Sequence, residues 1–136
     1  MKVALIYATK TGHSKKIALA IEKEFRIQAM DIKTNPKLES VDLLYILGGV
    51  YGAKSAPELI EFVRSFDSQQ VKRVALMTSS AGKTITQKEI RTLLVNKGIA
   101  VLEDEFICQG GFLFVGVGHP NVKDINNAIE FVKRTI

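Results

Sequence analysis

The sequence predicts a three-layer α/β/α sandwich built around a five-stranded parallel sheet. Three observations predict it. Apolar runs alternate with stretches of helical period along the whole chain, the pattern of a parallel sheet with crossover helices. Four of those runs are nearly continuous rather than alternating, as strands buried on both faces must be. The 136 residues, 46% hydrophobic and 24% charged, suffice for one domain with a full core and argue against disorder. A domain of this size needs neither a disulfide nor a metal to be stable.

The elements follow in order. Val3 to Ala8 is the first strand, and Ile17, Ala18, Ile21 and Phe25 mark the buried stripe of the first helix. Residues 27–32 alternate more, which suits an edge strand. Residues 33–40 are too few for a crossover helix, since parallel connections usually take about a dozen residues or more, so a loop with one helical turn is expected. Leu43 to Leu47 is the third strand. Ser55-Ala56-Pro57-Glu58 reads as a capping box with Pro57 in the first turn, followed by Leu59, Phe62 and Val63. Val74 to Met77 is the fourth strand. Thr86-Gln87-Lys88-Glu89 repeats the capping signature before Ile90, Leu93 and Leu94, and Gly98 is the expected stop. Phe106 to Cys108 is the fifth strand. Gly110, Gly111, Gly116 and Gly118 then break the pattern, so Phe112 to Val115 reads either as a short strand or as a flap. Asn121 caps the last helix, whose stripe is Ile125, Ala128, Ile129, Val132 and Ile136. The order is β-α-β-β-α-β-α-β-α, with no repeat, low-complexity tract or linker.

Composition narrows the function classes. The lone cysteine, Cys108, allows no intrachain disulfide, so nothing points to an oxidising compartment. The apolar run at residues 3–8 is too short for a signal peptide or a membrane span, so a cytoplasmic location and no membrane partner are expected. Lys and Arg total 19 against 14 Asp and Glu, a net charge of +5. That balance permits acidic-protein or nucleic-acid partners without demanding them. The cations are spread along the chain, and nucleic acid is not among the expected partners. The densest local cluster is Lys10, Lys15 and Lys16.

That cluster borders the first strand-to-helix turn, Thr9-Lys10-Thr11-Gly12-His13-Ser14. Open α/β sheets bind ligands at the carboxyl ends of their strands. A helix amino terminus there offers unpaired N–H donors and partial positive charge. Three hydroxyls and a glycine in one turn, with no carboxylate, are more than a helix cap requires and suit a phosphate. Rival nucleotide motifs do not fit: GxxxxGK[ST] and GxGxxG are both absent.

The turn resembles the flavodoxin phosphate signature, [S/T]-x-[S/T]-G-x-[S/T], in its usual place after the first strand. The resemblance extends over nearly the whole chain. Residues 42–48 are similar to the family's third strand and residues 74–79 to its fourth. Residues 106–110 with Gly118-His119-Pro120-Asn121 resemble the carboxyl end of a bacterial flavodoxin-like subgroup. The resemblance implies strand order 2-1-3-4-5, which makes the second strand an edge. It also implies a non-covalently bound flavin mononucleotide (FMN).

Two further loops would border the flavin ring. After the third strand come Gly48, Gly49, Val50, Tyr51, Gly52 and Ala53. Glycines permit close backbone approach, Val50 or Tyr51 can cover a face, and the resemblance makes Tyr51 the stacking candidate. After the fourth strand come Thr78, Ser79, Ser80, Ala81, Gly82 and Lys83, small residues that suit a ring edge. This loop lacks the acid and the aromatic usual in electron-shuttling flavodoxins. The net charge departs as well, since flavodoxins are typically acidic, whereas Lys10, Lys54 and Lys83 sit in or beside the three loops. Nearby positive charge favours an anionic reduced flavin and so a less negative second reduction potential.

Other residues carry less. His13, in place of the common Asn, would help neutralise phosphate if protonated, or is an exposed helix-start residue. His119 reads as part of a turn before the last helix, and Cys108 as inert core. The two histidines lack metal-ligand spacing. A Cys-x5-Arg loop is excluded because residue 114 is Phe. The sequence therefore points to an FMN-binding redox protein, with an electron carrier preferred over an oxidoreductase with its own substrate. Its expected partner is a redox protein, and its expected state a monomer or weak homodimer. The alternative is a cofactor-free module presenting a basic face to an acidic partner.

Overall fold

Strand pairing in the computed structural model, which describes residues 1–8, 13–51, 54–80, 87–109 and 122–136, follows the expected order. The elements are β1 (Val3–Tyr7), α1 (His13–Phe25), β2 (Ala29–Asp31), β3 (Val41–Tyr51), β4 (Lys54–Ser55), α2 (Pro57–Ser65), β5 (Val71–Ser80), α3 (Lys88–Asn96), β6 (Ala100–Val101), β7 (Phe106–Gln109) and α4 (Val122–Thr135). The sheet runs β2-β1-β3-β5, all parallel, and β6 and β7 both pair with the free side of β5. These two pieces share the fifth position. β6 pairs at Val74↔Val101 and β7 at Met77↔Phe106, so residues 75–76 of β5 face residues 102–105. The longer stretch must bulge, which is why an edge strand legible only from Phe106 starts earlier and is interrupted. The second strand is an edge, as expected.

Side chains alternate across the sheet and build two cores. Leu44 and Ile46 of β3 join Val74 and Leu76 of β5 under Leu59, Phe62 and Val63 of α2 and Ile90 and Leu94 of α3. Leu43, Tyr45 and Leu47 join Ala75 and Met77 under Ile17, Ala18 and Ile21 of α1 and Ala128, Phe131 and Val132 of α4. Phe131 was not in the stripe read from sequence. Ile136 was, but it follows the helix and is 47% exposed.

Local chemistry sets several boundaries. The single helical turn expected in residues 33–40 is a 3-10 turn at Ile32–Thr34: Asp31 Oδ1 accepts from Lys33 N at 2.9 Å, and Asn35 ends it at φ 50°. α3 stops where expected, in a Schellman motif. Gly98 takes φ 77°, its N–H bonds Val95 O at 3.0 Å, and Ile99 N bonds Leu94 O at 3.0 Å. The helix starts differ from the capping boxes by one residue. Pro57 takes the first helical position, which makes Ala56 the cap of α2 and puts Ser55 in β4. Gln87 rather than Thr86 caps α3, and neither cap uses its side chain for the helix. No described helix is long and apolar enough to cross a membrane.

Candidate functional site

The chain goes from β1 out to β2 and then back past β1 to β3, so the crevice between the carboxyl ends of β1 and β3 is the topological switch point. β1 ends at Tyr7, and Ala8 N still bonds Leu47 O at 3.0 Å, so β1 and β3 stay joined to the edge. α1 begins at His13, a few residues on. Ile17, Ala18 and Ile21 are fully buried and press the helix onto the sheet. Its amino terminus therefore sits at the switch point, with N–H donors that no residue of the helix can satisfy. Ser14, in the first turn, is 2% exposed. That turn has no acid and carries exposed Lys15 and Lys16. Cations at a helix amino terminus oppose the macrodipole at a cost of about 0.3–1 kcal/mol each, which an anion bound there would offset.

The residues read as ring contacts lie side by side. Gly49 pairs with Ser79 and Val50 with Ser80. The sequence reading put both segments in loops, but they are the last rungs of the β3–β5 ladder. Gly48 and Gly49 add no bulk to the rungs, and Thr78 to Ser80 are small enough to continue them. β3 then turns back through β4, with Val50↔Ser55 and Tyr51↔Lys54. On the other side of β5, Ser79 pairs with Cys108 and Ser80 with Gln109. Of the proposed site residues, the structure thus places His13 and Ser14 at the start of α1 and pairs Gly49 and Val50 with Ser79 and Ser80, while Tyr51, the last residue of β3, pairs with Lys54. Thr9, Lys10, Thr11, Gly12, Gly52, Ala81 and Gly82 lie outside the described residues, as do His119, Asn121 and residues 112–115.

Beneath these strand ends is a polar group that the sequence reading missed. Gln87, fully buried, donates from Nε2 to Met77 O at 2.8 Å and to Thr78 Oγ1 at 3.3 Å, and Ile46 O lies 3.5 Å away. Thr78 is fully buried too. Gln87 Oε1 has no hydrogen-bond partner among the described residues, a state that costs about 1–3 kcal/mol. Gly48 makes room for this cluster: a Cβ there would lie 2.6 Å from Leu59 Cδ2 and 3.4 Å from Gln87 Oε1. From sequence Gln87 was one letter of a capping motif, and no pattern marks a buried amide.

Two tyrosines complete the surroundings. Tyr7, at the end of β1, is 6% exposed. Burial first, then the nearby Asp31 and Glu22 carboxylates, push its phenol above the ordinary 10.0, so it stays neutral. Tyr45 is buried in mid-β3 and its hydroxyl lies 2.8 Å from Thr135 Oγ1, tying the end of α4 to the sheet. Burial raises its pKa as well, against a smaller lowering by that hydrogen bond.

An acid-free helix start with unpaired N–H donors thus stands next to the paired ends of two strands. A protein-family model described as a flavodoxin domain matches residues 4–113. No curated protein matches the chain. Among solved structures, oxidised Flavodoxin 1 from Bacillus cereus is similar at TM-score 0.76 and 19% identity, with 100% of both chains covered. A flavodoxin from the domain Archaea is similar at TM-score 0.73 and 17% identity, over 98% of each chain. Rubredoxin oxygen:oxidoreductase from Desulfovibrio gigas gives TM-score 0.73 at 12% identity, covering 97% of this chain and 34% of that one. At these identities the structural likeness speaks for the fold.

Proposed function

This chain belongs to the flavodoxin domain family, and from that premise we propose that it binds FMN non-covalently at the carboxyl edge of the sheet and passes electrons to and from a partner protein. One observation carries the reading: an acid-free helix amino terminus stands at the switch point next to the paired ends of β3 and β5. The residues present fit the group. Residues 9–14 and the first N–H groups of α1 would hold the phosphate, with Ser14 inside the fold rather than on its surface. Gly49, Val50 and Tyr51 with Ser79 and Ser80 would border the ring. When bound, the flavin supplies the one- or two-electron chemistry, and no acid or base from the chain is needed. The chain's own work is to bind the phosphate, orient the ring and set its electrostatic surroundings.

The test is an equilibrium titration with FMN and with riboflavin. Charge-assisted hydrogen bonds to phosphate contribute about 1.5–3 kcal/mol each, so two of them predict FMN binding at least ~100-fold tighter than riboflavin. Ser14→Ala should weaken FMN by about tenfold and leave riboflavin unchanged. Equal affinity for both ligands would contradict the phosphate site. Absence of turnover with a nicotinamide donor and a quinone acceptor would favour a carrier over an oxidoreductase.

A further inference from the structure

Between Ser80, the end of β5, and Gln87, the cap of α3, lies the 81–86 connection, which contains Ala81 and Gly82, two residues read from sequence as ring contacts. The Gln87 side chain ties the start of α3 back to β5. The Gln87 amide reaches back to the Met77 carbonyl at 2.8 Å and the Thr78 hydroxyl at 3.3 Å, and the Ile46 carbonyl of β3 lies 3.5 Å from the same nitrogen. Met77 and Thr78 directly precede Ser79 and Ser80, and Ile46 precedes Gly48 and Gly49 by a short step on the neighbouring strand. One amide thus grips both strands immediately before the segments proposed for the ring.

Gln87 combines a cost and a gain. It is fully buried and its Oε1 is unpartnered among the described residues, while its Nε2 serves the buried Thr78 hydroxyl and the Met77 carbonyl. The half of the amide that is used is its donor half, and each acceptor it meets belongs to β3 or β5. We infer that Gln87 is a positioning residue of the flavin site. Its Nε2 sets the spacing of the β3 and β5 ends. Residues 49–51 and 79–80 are thereby held in their binding arrangement before the ligand arrives, and less ordering has to be made up on binding. The side chain does not touch the ligand. This role rests on the FMN reading above.

Two variants test it, with FMN as the probe throughout. Gln87→Met keeps the volume and removes both the donor and the orphaned oxygen. Removing the orphaned oxygen offsets the loss of a donor to Thr78 Oγ1 and Met77 O, so its thermal midpoint should stay near the parent's, while FMN affinity falls by about tenfold, the factor that one lost hydrogen bond gives, and the visible circular dichroism of the bound flavin changes. Gln87→Glu supplies a donor only when the introduced carboxyl is protonated. The groups around it, the carbonyls of Ile46 and Met77, the Thr78 hydroxyl and Gly48, do not titrate, and burial beside carbonyls holds its pKa high. FMN affinity of this variant should approach the parent's near about pH 6 and fall by about tenfold near about pH 9, with the parent flat across that window. Should the Met variant not fold, the pH profile of the Glu variant decides alone. Parental FMN affinity in both variants at each pH would overturn the inference, and so would losses of affinity and stability in proportion. A parent protein that binds no FMN would instead overturn the proposed function, and this role with it.

Discussion

Gly48 shows how tightly the site's foundation is packed. Its missing Cβ would lie 2.6 Å from Leu59 Cδ2, in a core where Leu59 is fully buried. Gly48→Ala therefore forces Leu59 aside and crowds Gln87, and should cost about 1–3 kcal/mol in a denaturant titration with the slope unchanged. At the opposite edge of the sheet, Asp42 is a residue whose contribution depends on pH. Its Oδ2 accepts from Lys2 N at 2.7 Å and its Oδ1 lies 3.5 Å from Lys72 Nζ, joining the starts of β1, β3 and β5. The Lys2 hydrogen bond above all, then Lys72, holds its pKa below the ordinary 3.8. A lowered carboxyl pKa means that the unfolded chain binds its proton first as pH falls. The contribution is therefore fully present above the unfolded value and lost as pH drops through the folded one. Asp42→Asn should lower stability in the neutral region and leave the acid extreme nearly unchanged, flattening the profile in that window, as read by thermal unfolding at a series of pH values.

Among the elements, the interrupted edge strand depends on two arginines. Arg91 of α3 donates to Leu102 O at 2.9 Å and lies 3.4 Å from Glu105 Oε2, while Arg134 of α4 bonds Asp104 Oδ2 at 2.9 Å. The bulge at residues 102–105 is thus held from both helical layers. Glu105 is only 17% exposed in its side chain, so Arg91→Met leaves a poorly solvated carboxylate and should cost about 1–3 kcal/mol. Faster amide hydrogen exchange confined to residues 100–109 would locate the damage. Lys97 does similar work for α2, donating to Val63 O at 2.6 Å and to Phe66 O, where the helix's last carbonyls lack partners. How legible these elements were follows from the kind of signal each carries. The strands β1, β3, β5 and β7 and the stripes of α1, α2 and α3 were plain, because burial on both faces or on one stripe leaves a periodic trace. The β6 segment was not, because two residues carry no period. The extent of β3 and β5 was missed because glycine and serine read as turn residues, although pairing to β5 carries Gly48 and Gly49 as strand and pairing to β3 and β7 carries Ser79 and Ser80. The capping frames slipped by one because Pro57 and the buried Gln87 override the hydroxyl pattern. The phosphate turn was legible from residue types alone, whereas Gln87 depends on contacts between residues far apart in sequence.

For the molecule as a whole, charge and topology bear on the same edge. The net charge is +5, and among the described helices only α1, with Lys15 and Lys16, has no acid in its first turn; Lys88 and Lys123 stand beside Glu89 and Asp124, and α2 begins with Glu58. Positive charge around a bound ring stabilises its anionic reduced form, so the second reduction potential should be less negative than in an acidic flavodoxin, and should fall as lysines are replaced by glutamine. A strongly negative second couple in a redox titration would contradict this electrostatic account. The central proposal concerns place: FMN would sit where β1, β3 and β5 end beside the start of α1. An amide-resolved NMR titration of the intact protein with FMN tests it most directly. The account predicts saturable shifts at residues 13–16, 48–51 and 78–80, with Lys2, Asp42 and Lys72 at the amino edge unmoved. Shifts centred on the amino edge, or none at saturating FMN, would contradict it.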